Sequence, residues 1–170
     1  MPSQIVNECS KALAERGLSV AFAESATAGR LAAEFSLCEE SGKVLKGGLV
    51  CYDALLKQTI LHVPADMIKR FTPESAEVTQ ELAQRLQTFM PADIHLAVTG
   101  LTCPGGSETE EKPVGTIFLH IYFKEKSIAI REVFEGEAEE IVLQAIDRAA
   151  QAILAELPVH AGKADGAASL

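Results

Sequence analysis

Leu18-Ser19-Val20-Ala21-Phe22-Ala23, running into Glu24-Ser25-Ala26-Thr27-Ala28-Gly29 and on to Ser36, decides the fold. The first six residues are nearly all apolar, the composition of a strand covered on both faces. From Thr27 to Ser36 the apolar residues return at helical spacing. A buried strand that turns directly into a helix is the repeating unit of an α/β protein with a mostly parallel sheet.

The flanking sequence extends that unit in both directions. Ile5, Cys9 and Leu13 recur at helical intervals and Gly17 follows as a stop, so a helix precedes the strand. Downstream, Leu49–Tyr52 reads as a second buried strand, and Asp53 can cap a short helix carrying Leu56, Lys57 and Ile60. Pro64 opens another brief helix. Thr72 as N-cap and Pro73 as first helical residue introduce a longer one, with Val78, Leu82, Leu86 and Phe89 on one face and an end before Pro91. Ile94–Thr99 is a third apolar strand. Thr116–Phe123 and Ser127–Phe134 flank Lys124-Glu125-Lys126 as an antiparallel hairpin, although His120 interrupts the apolar pattern, and Glu137–Leu157 is the closing helix. The expected architecture is one three-layer α/β/α sandwich on a mixed five-stranded sheet, spanning 1–157. The Ala-, Gly- and Ser-rich stretch 158–170 lacks periodicity and is expected to be a flexible tail.

Composition excludes several classes of function. A length of 170 residues suits one domain with one sizeable core. The formal charge of −9 provides no basic footprint for nucleic acid or for an anionic lipid surface. No apolar run approaches the roughly 20 residues that span a bilayer, and the first residues carry no signal-peptide pattern, so a cytoplasmic location is expected. Cys9, Cys38, Cys51 and Cys103 are scattered without a C-x-x-C pair and read as free thiols. His62, His95, His120 and His160 are equally dispersed, so neither a metal site nor a cofactor is expected.

In open α/β sheets, ligands gather beyond the carboxyl ends of the strands, which here means Glu24–Thr27, Tyr52–Lys57 and Thr99–Gly106. Ser25 lies where strand gives way to helix; it is either a helix cap or a nucleophile facing several free backbone N–H groups. A serine becomes nucleophilic only when a neighbour takes its proton, and a lysine serves when burial lowers its pKa. Lys57 can fill that role, and Tyr52 can relay or donate a proton. Taken singly, Lys57 is equally a solvated helix lysine and Tyr52 a strand-end aromatic. The loop Gly100-Leu101-Thr102-Cys103-Pro104-Gly105-Gly106 offers unobstructed N–H groups for an anion or a developing oxyanion, yet is neither a Walker A nor a G-x-G-x-x-G sequence. His95, inside a strand, reads as structural rather than as a catalytic base.

Four ordered stretches resemble the CinA C-terminal domain family, whose members include nicotinamide mononucleotide deamidases. Ala23-Glu24-Ser25-Ala26-Thr27-Ala28-Gly29 resembles A-E-S-C-T-G-G, and Val50-Cys51-Tyr52-Asp53-Ala54-Leu55-Leu56-Lys57 resembles V-T-Y-S-N-E-A-K. Val98-Thr99-Gly100-Leu101-Thr102-Cys103-Pro104-Gly105-Gly106 resembles V-T-G-I-A-G-P-G-G, and Glu111-Lys112-Pro113-Val114-Gly115-Thr116 matches E-K-P-V-G-T. The resemblance implies hydrolysis of the carboxamide of nicotinamide mononucleotide to nicotinate mononucleotide and ammonia, without metal or organic cofactor. Ser25 would be the nucleophile, Tyr52 and Lys57 would activate it and pass on its proton, and Thr99 would line the amide site. Glu24, Thr27, Gly29, Gly100, Gly105 and Gly106 complete the expected substrate contacts. Self-association is common in the family, so a homo-oligomer is expected.

The departures are specific. Ala26 and Ala28 replace Cys and Gly, Thr102-Cys103 replaces Ala-Gly, and Gly47 stands where Arg is frequent. At the start of the closing helix, Ala138 and Val142 occupy positions where the family pattern F-x-G-D-R-x-x-V-R has arginines. Glu135, Glu137, Glu139 and Glu140 crowd the same region, leaving Arg30, Lys46 and the glycine-loop N–H groups to meet a phosphate. The expectation is weaker binding of the mononucleotide than in members with both arginines, or a preference for an uncharged amide. The alternative is a non-catalytic relative that binds a nucleotide or a protein partner.

Overall fold

The computed structural model describes residues 1–158. The chain opens with α1 (Gln4–Glu15), whose first turn is capped by the Ser3 hydroxyl, and passes into β1 (Val20–Glu24). Then come α2 (Arg30–Ser36), α3 (Ser41–Val44), β2 (Leu45–Val50), α4 (Ala54–Thr59), α5 (Ala65–Phe71) and α6 (Ala76–Phe89). β3 (Ile94–Gly100), β4 (Thr116–Phe123), β5 (Lys126–Val133) and α7 (Ala138–Glu156) complete it. The sheet order is β2-β1-β3-β4-β5; β2, β1 and β3 run parallel, and β4 and β5 form the antiparallel hairpin. This is the mixed five-stranded α/β sandwich expected from the sequence.

The pleat divides the core into two halves. Val20 and Phe22 of β1, with Ile94, Leu96 and Val98 of β3, pack beneath α1, α2 and α7. Ala21, Ala23 and Ala97 point the other way, against Val78, Leu82 and Leu86 of α6. Phe22 and Phe35 meet with ring centroids 5.1 Å apart, fixing α2 on the first face.

Four boundaries differ from expectation, each for a local reason. β2 starts at Leu45 and ends at Val50, and its residues alternate between half-buried and exposed because it is an edge strand, not a fully covered one. Gly48 lies under α2, where a Cβ would stand 2.7 Å from the Ala32 Cβ. α2 begins at Arg30 rather than Thr27, after a turn that ends at Gly29 with a left-handed φ of 93°. α6 is capped by Ser75, whose hydroxyl accepts from the Val78 N–H, while Thr72 terminates α5 with a φ of 71°. The short α3 has no counterpart in the sequence reading. The tail expected beyond Pro158 lies outside the described residues. Among the described residues no helix is long and apolar enough to cross a membrane.

Candidate active site

Ser25 follows the last residue of β1, and its N–H donates to the Val98 carbonyl at 2.9 Å, continuing the β1–β3 pairing by one position. It is buried, and it continues the face of β1 that carries Ala21 and Ala23. Lys57 approaches from the same side. Asp53 caps α4 by accepting from the Leu55 N–H at 2.7 Å, and Lys57 one turn later lies fully buried. Its Nζ donates to the Cys51 carbonyl at 2.6 Å and the Tyr52 carbonyl at 3.2 Å, and stands 3.0 Å from Ser25 Oγ.

Burial pushes the Lys57 pKa below its ordinary 10.5, an effect that the negative fields of Glu74 and Asp53 partly offset. Nζ thus reaches three oxygens, the two carbonyls and the Ser25 hydroxyl. On losing a proton it can keep both carbonyl bonds and turn its lone pair to the hydroxyl. Ser25 is therefore paired with a potential base rather than acting as a cap. The contact from Tyr52 to Lys57 is made by its backbone carbonyl; the Tyr52 side chain is 59% exposed and forms part of the wall beside Ser25.

The wall belongs to a cleft of about 240 Å³ bounded by Ser25, Ala26, Tyr52, Glu74 and the loop from Gly100 to Gly106. That loop is held at its base by paired backbone bonds, Leu101 N–H to Thr116 carbonyl and Gly115 N–H to Leu101 carbonyl. Gly100 permits this closure, since a Cβ there would sit 2.5 Å from the Thr116 carbonyl oxygen. Within the loop, the Gly105 N–H donates to Glu108 Oε1 at 2.8 Å. Backbone hydrogen bonds, that of Gly105 foremost, hold the Glu108 carboxyl below its usual range. The N–H array that the sequence offers to an anion thus already receives a carboxylate from its own chain.

Across residues 2–157 the sequence matches the family model described as the CinA C-terminal domain. The chain belongs to the CinA C-terminal domain family. A CinA-like protein from Thermosipho melanesiensis is 36% identical over 118 residues, which are 69% of this chain and 29% of that relative. A CinA-like protein from Thermotoga maritima is 37% identical over 125 residues, 74% of this chain and 30% of its own length. The chain thus spans about three tenths of the curated relatives it matches. The crystal structure of a CinA superfamily protein from Escherichia coli superposes with a TM-score of 0.84 at 27% identity, covering 90% of this chain and 88% of that one.

Within this family member the expected contact residues separate into two groups. Gly100, Gly105 and Gly106 line the cleft. Glu24, Thr27, Gly29 and Thr99 do not. Glu24 is fully buried on the opposite face of β1, where its carboxylate accepts from Thr27 Oγ1 and from the N–H groups of Gly29, Leu31 and Ala32 at 2.6–3.0 Å. It organises the start of α2. Thr99 is also buried, its hydroxyl 2.8 Å from that of Thr79 on α6. Neither Arg30 nor Lys46 lines the cleft, and neither do Ala138 and Val142; Arg30 pairs with Glu34 at 2.6 Å and reaches Glu139 at 3.8 Å. His95 and His120 lie within the sheet, bonded to the Met90 carbonyl and the Ser127 hydroxyl, and burial lowers the His120 pKa. Both are structural.

Three contributors escaped the sequence reading. Glu74 lines the cleft from the α5–α6 connection. The Ala26 N–H, next to the nucleophile candidate at the cleft wall, has no acceptor among the described residues. Lys112 donates to Thr72 Oγ1, the Glu74 carbonyl and Ser107 Oγ at 2.7–2.9 Å, clamping the long loop to the α5–α6 connection. Lys112 lies in the Glu-Lys-Pro-Val-Gly-Thr stretch and Ala26 follows Ser25 in the first motif, so Glu74 alone of the three left no sequence signal.

Proposed function

We propose that this chain is an amidohydrolase that converts the carboxamide of a nicotinamide nucleotide to the carboxylate and ammonia, with Ser25 as nucleophile. The observation that carries this reading is the 3.0 Å approach of the buried Lys57 Nζ to Ser25 Oγ, with both remaining N–H directions committed to backbone carbonyls. Neutral Lys57 takes the Ser25 proton as Oγ attacks the amide carbon. The Ala26 N–H and unengaged N–H groups of the Gly100–Gly106 loop face the oxyanion that forms. Collapse of the tetrahedral intermediate breaks the carbon–nitrogen bond, and the proton held by Lys57 passes to the departing ammonia, with the Tyr52 phenol on the cleft wall as the second proton carrier. Water then attacks the acyl-serine, losing its proton to Lys57, which passes it to Ser25 Oγ as the carbon–oxygen bond breaks and the acid is released. A cytoplasmic setting agrees with four cysteines in the free thiol form.

The test is ammonia release from nicotinamide mononucleotide, its riboside and free nicotinamide. The unmodified chain is expected to release ammonia from at least one of them. Ser25→Ala is expected to reduce the rate by at least about 10³-fold, since nucleophile loss removes the shared machinery of the site. No release from any of the three, or full activity of the alanine variant, overturns the reading.

A further inference from the structure

Among the described residues that line the Ser25 cleft, Glu74 alone has a formally charged side chain. Its backbone is fixed by neighbours on both sides: Thr72 closes α5, Ser75 caps α6, and Lys112 donates to the Glu74 carbonyl at 2.9 Å. Its side chain is fixed as well, because Ser107 Oγ donates to Oε2 at 2.6 Å. Oε1 accepts no hydrogen bond among the described residues, so the carboxylate is anchored through one oxygen and offers the other.

Neither nearby lysine bonds directly to its carboxylate, although each lies within its field. Lys112 spends its ammonium on Thr72, Ser107 and the Glu74 carbonyl. Lys57 lies fully buried behind Ser25, holding two backbone carbonyls. An anionic group entering the cleft therefore meets a carboxylate, whereas a cationic one gains a partner beside the reacting serine.

The nicotinamide nucleotide of the amidohydrolase reading already carries its amide on a cationic, nitrogen-alkylated pyridinium ring; building on that reading, we infer that Glu74 is the residue that selects for this ring charge. The positive ring nitrogen faces the free side of Glu74 while the carboxamide reaches Ser25. The selectivity belongs to the ring and is independent of a phosphate.

Two ligands isolate this term: N1-methylnicotinamide, a permanent cation, and nicotinamide, its neutral parent. Their dissociation constants are measured by calorimetry in the Ser25→Ala background, where hydrolysis does not interfere. The cation is expected to bind about tenfold more tightly, between the worth of an exposed ion pair and that of a desolvated one. The ratio is expected to shrink with added salt. Glu74→Gln in the same background, with folding checked by thermal unfolding, is expected to bring the ratio to about one, and Glu74→Asp to retain a preference for the cation. Equal binding of the two ligands, no binding of the cation, or a ratio that survives Glu74→Gln overturns the inference. Ammonia release by the unmodified chain is scored separately. Selectivity without hydrolysis refutes only the catalytic reading, and hydrolysis without selectivity refutes only the role of Glu74.

Discussion

Replacing Lys57 by Met removes the amine while keeping an unbranched side chain of similar length, and its effects on stability and on rate are expected to differ widely. Loss of the amine strips donors from the Cys51 and Tyr52 carbonyls, formerly 2.6 and 3.2 Å away, at about 1–3 kcal/mol for each acceptor left unsatisfied. Against this, a fully buried amine with its own desolvation cost disappears, and apolar replacement of buried polar or charged groups is commonly neutral or favourable by about 1–4 kcal/mol. The two nearly cancel, leaving a change within about 3 kcal/mol, or a Tm shift under about 10 °C for a chain of this size. The rate has no such compensation. Loss of a positioned base costs about 10²–10⁴-fold, equivalent to about 3–5 kcal/mol of barrier. Steady-state ammonia release is expected to show this loss in kcat with little change in KM, beside a melting curve close to the native one. The native rate is expected to rise with pH through a Lys57 pKa below 10.5, and the variant is expected to lack that limb. A kcat within tenfold of native in a folded Lys57→Met protein would refute Lys57 as the base.

The same residue makes stability pH-dependent. As pH rises above the lowered native pKa, the folded chain sheds the Lys57 proton while the unfolded chain retains it up to 10.5, so this contribution raises stability across that window. Lys57→Met is expected to flatten it in denaturant titrations at successive pH values. Glu24→Gln must turn an amide N–H₂ toward backbone donors of α2; it is expected to cost about 2–4 kcal/mol by urea unfolding while the Kd for pyridine carboxamides holds steady. A weakened Kd without destabilisation would return Glu24 to the binding site. Lys112→Met is expected to speed proteolytic cleavage within residues 101–115 and to raise KM more than it lowers kcat, since it frees the loop from Thr72 and Glu74. Light scattering is expected to give a multiple of the 18.2 kDa chain mass, with the exposed Val50, Tyr52, Leu55 and Leu56 as apolar surface available for association; a monomer mass alone would contradict it.

The order of the strands and of every helix but the four-residue α3 is legible because each buried strand is a short apolar run and each longer helix an apolar stripe at its own period. Asp53 as the cap of α4 and the hairpin β4–β5 follow from the same local signals. The helix start at Ser75 was misplaced because Thr72-Pro73 is an equally good local signal; packing of Thr72 as the end of α5 decides between them. Within the site, Ser25 and Lys57 were legible as residue types at strand ends, but their 3.0 Å contact was not, since it depends on how α4 folds back beneath the sheet edge. Glu24 was grouped with Ser25 because the two are adjacent, whereas the pleat sends adjacent side chains to opposite faces. Glu74 was invisible for a different reason. An acidic residue just before a helix is ordinarily read as helix-terminus electrostatics, and only the tertiary fold brings it to the cleft.

The opposed directions of Glu24 and Ser25 have a consequence for how such a protein can change. One residue nucleates α2 and the other serves the cleft, with the thickness of the sheet between them. Substitutions at Tyr52, Glu74 and Thr102 can therefore explore new ligands without disturbing the Phe22–Phe35 half of the core, because mutations far apart and without shared partners act additively. Insertion of a single residue within β1 would do the reverse, exchanging the two faces and placing a carboxylate where the hydroxyl stood. Evolutionary plasticity in this fold is thus wide in side-chain identity on one face and nearly absent in the length of one five-residue strand.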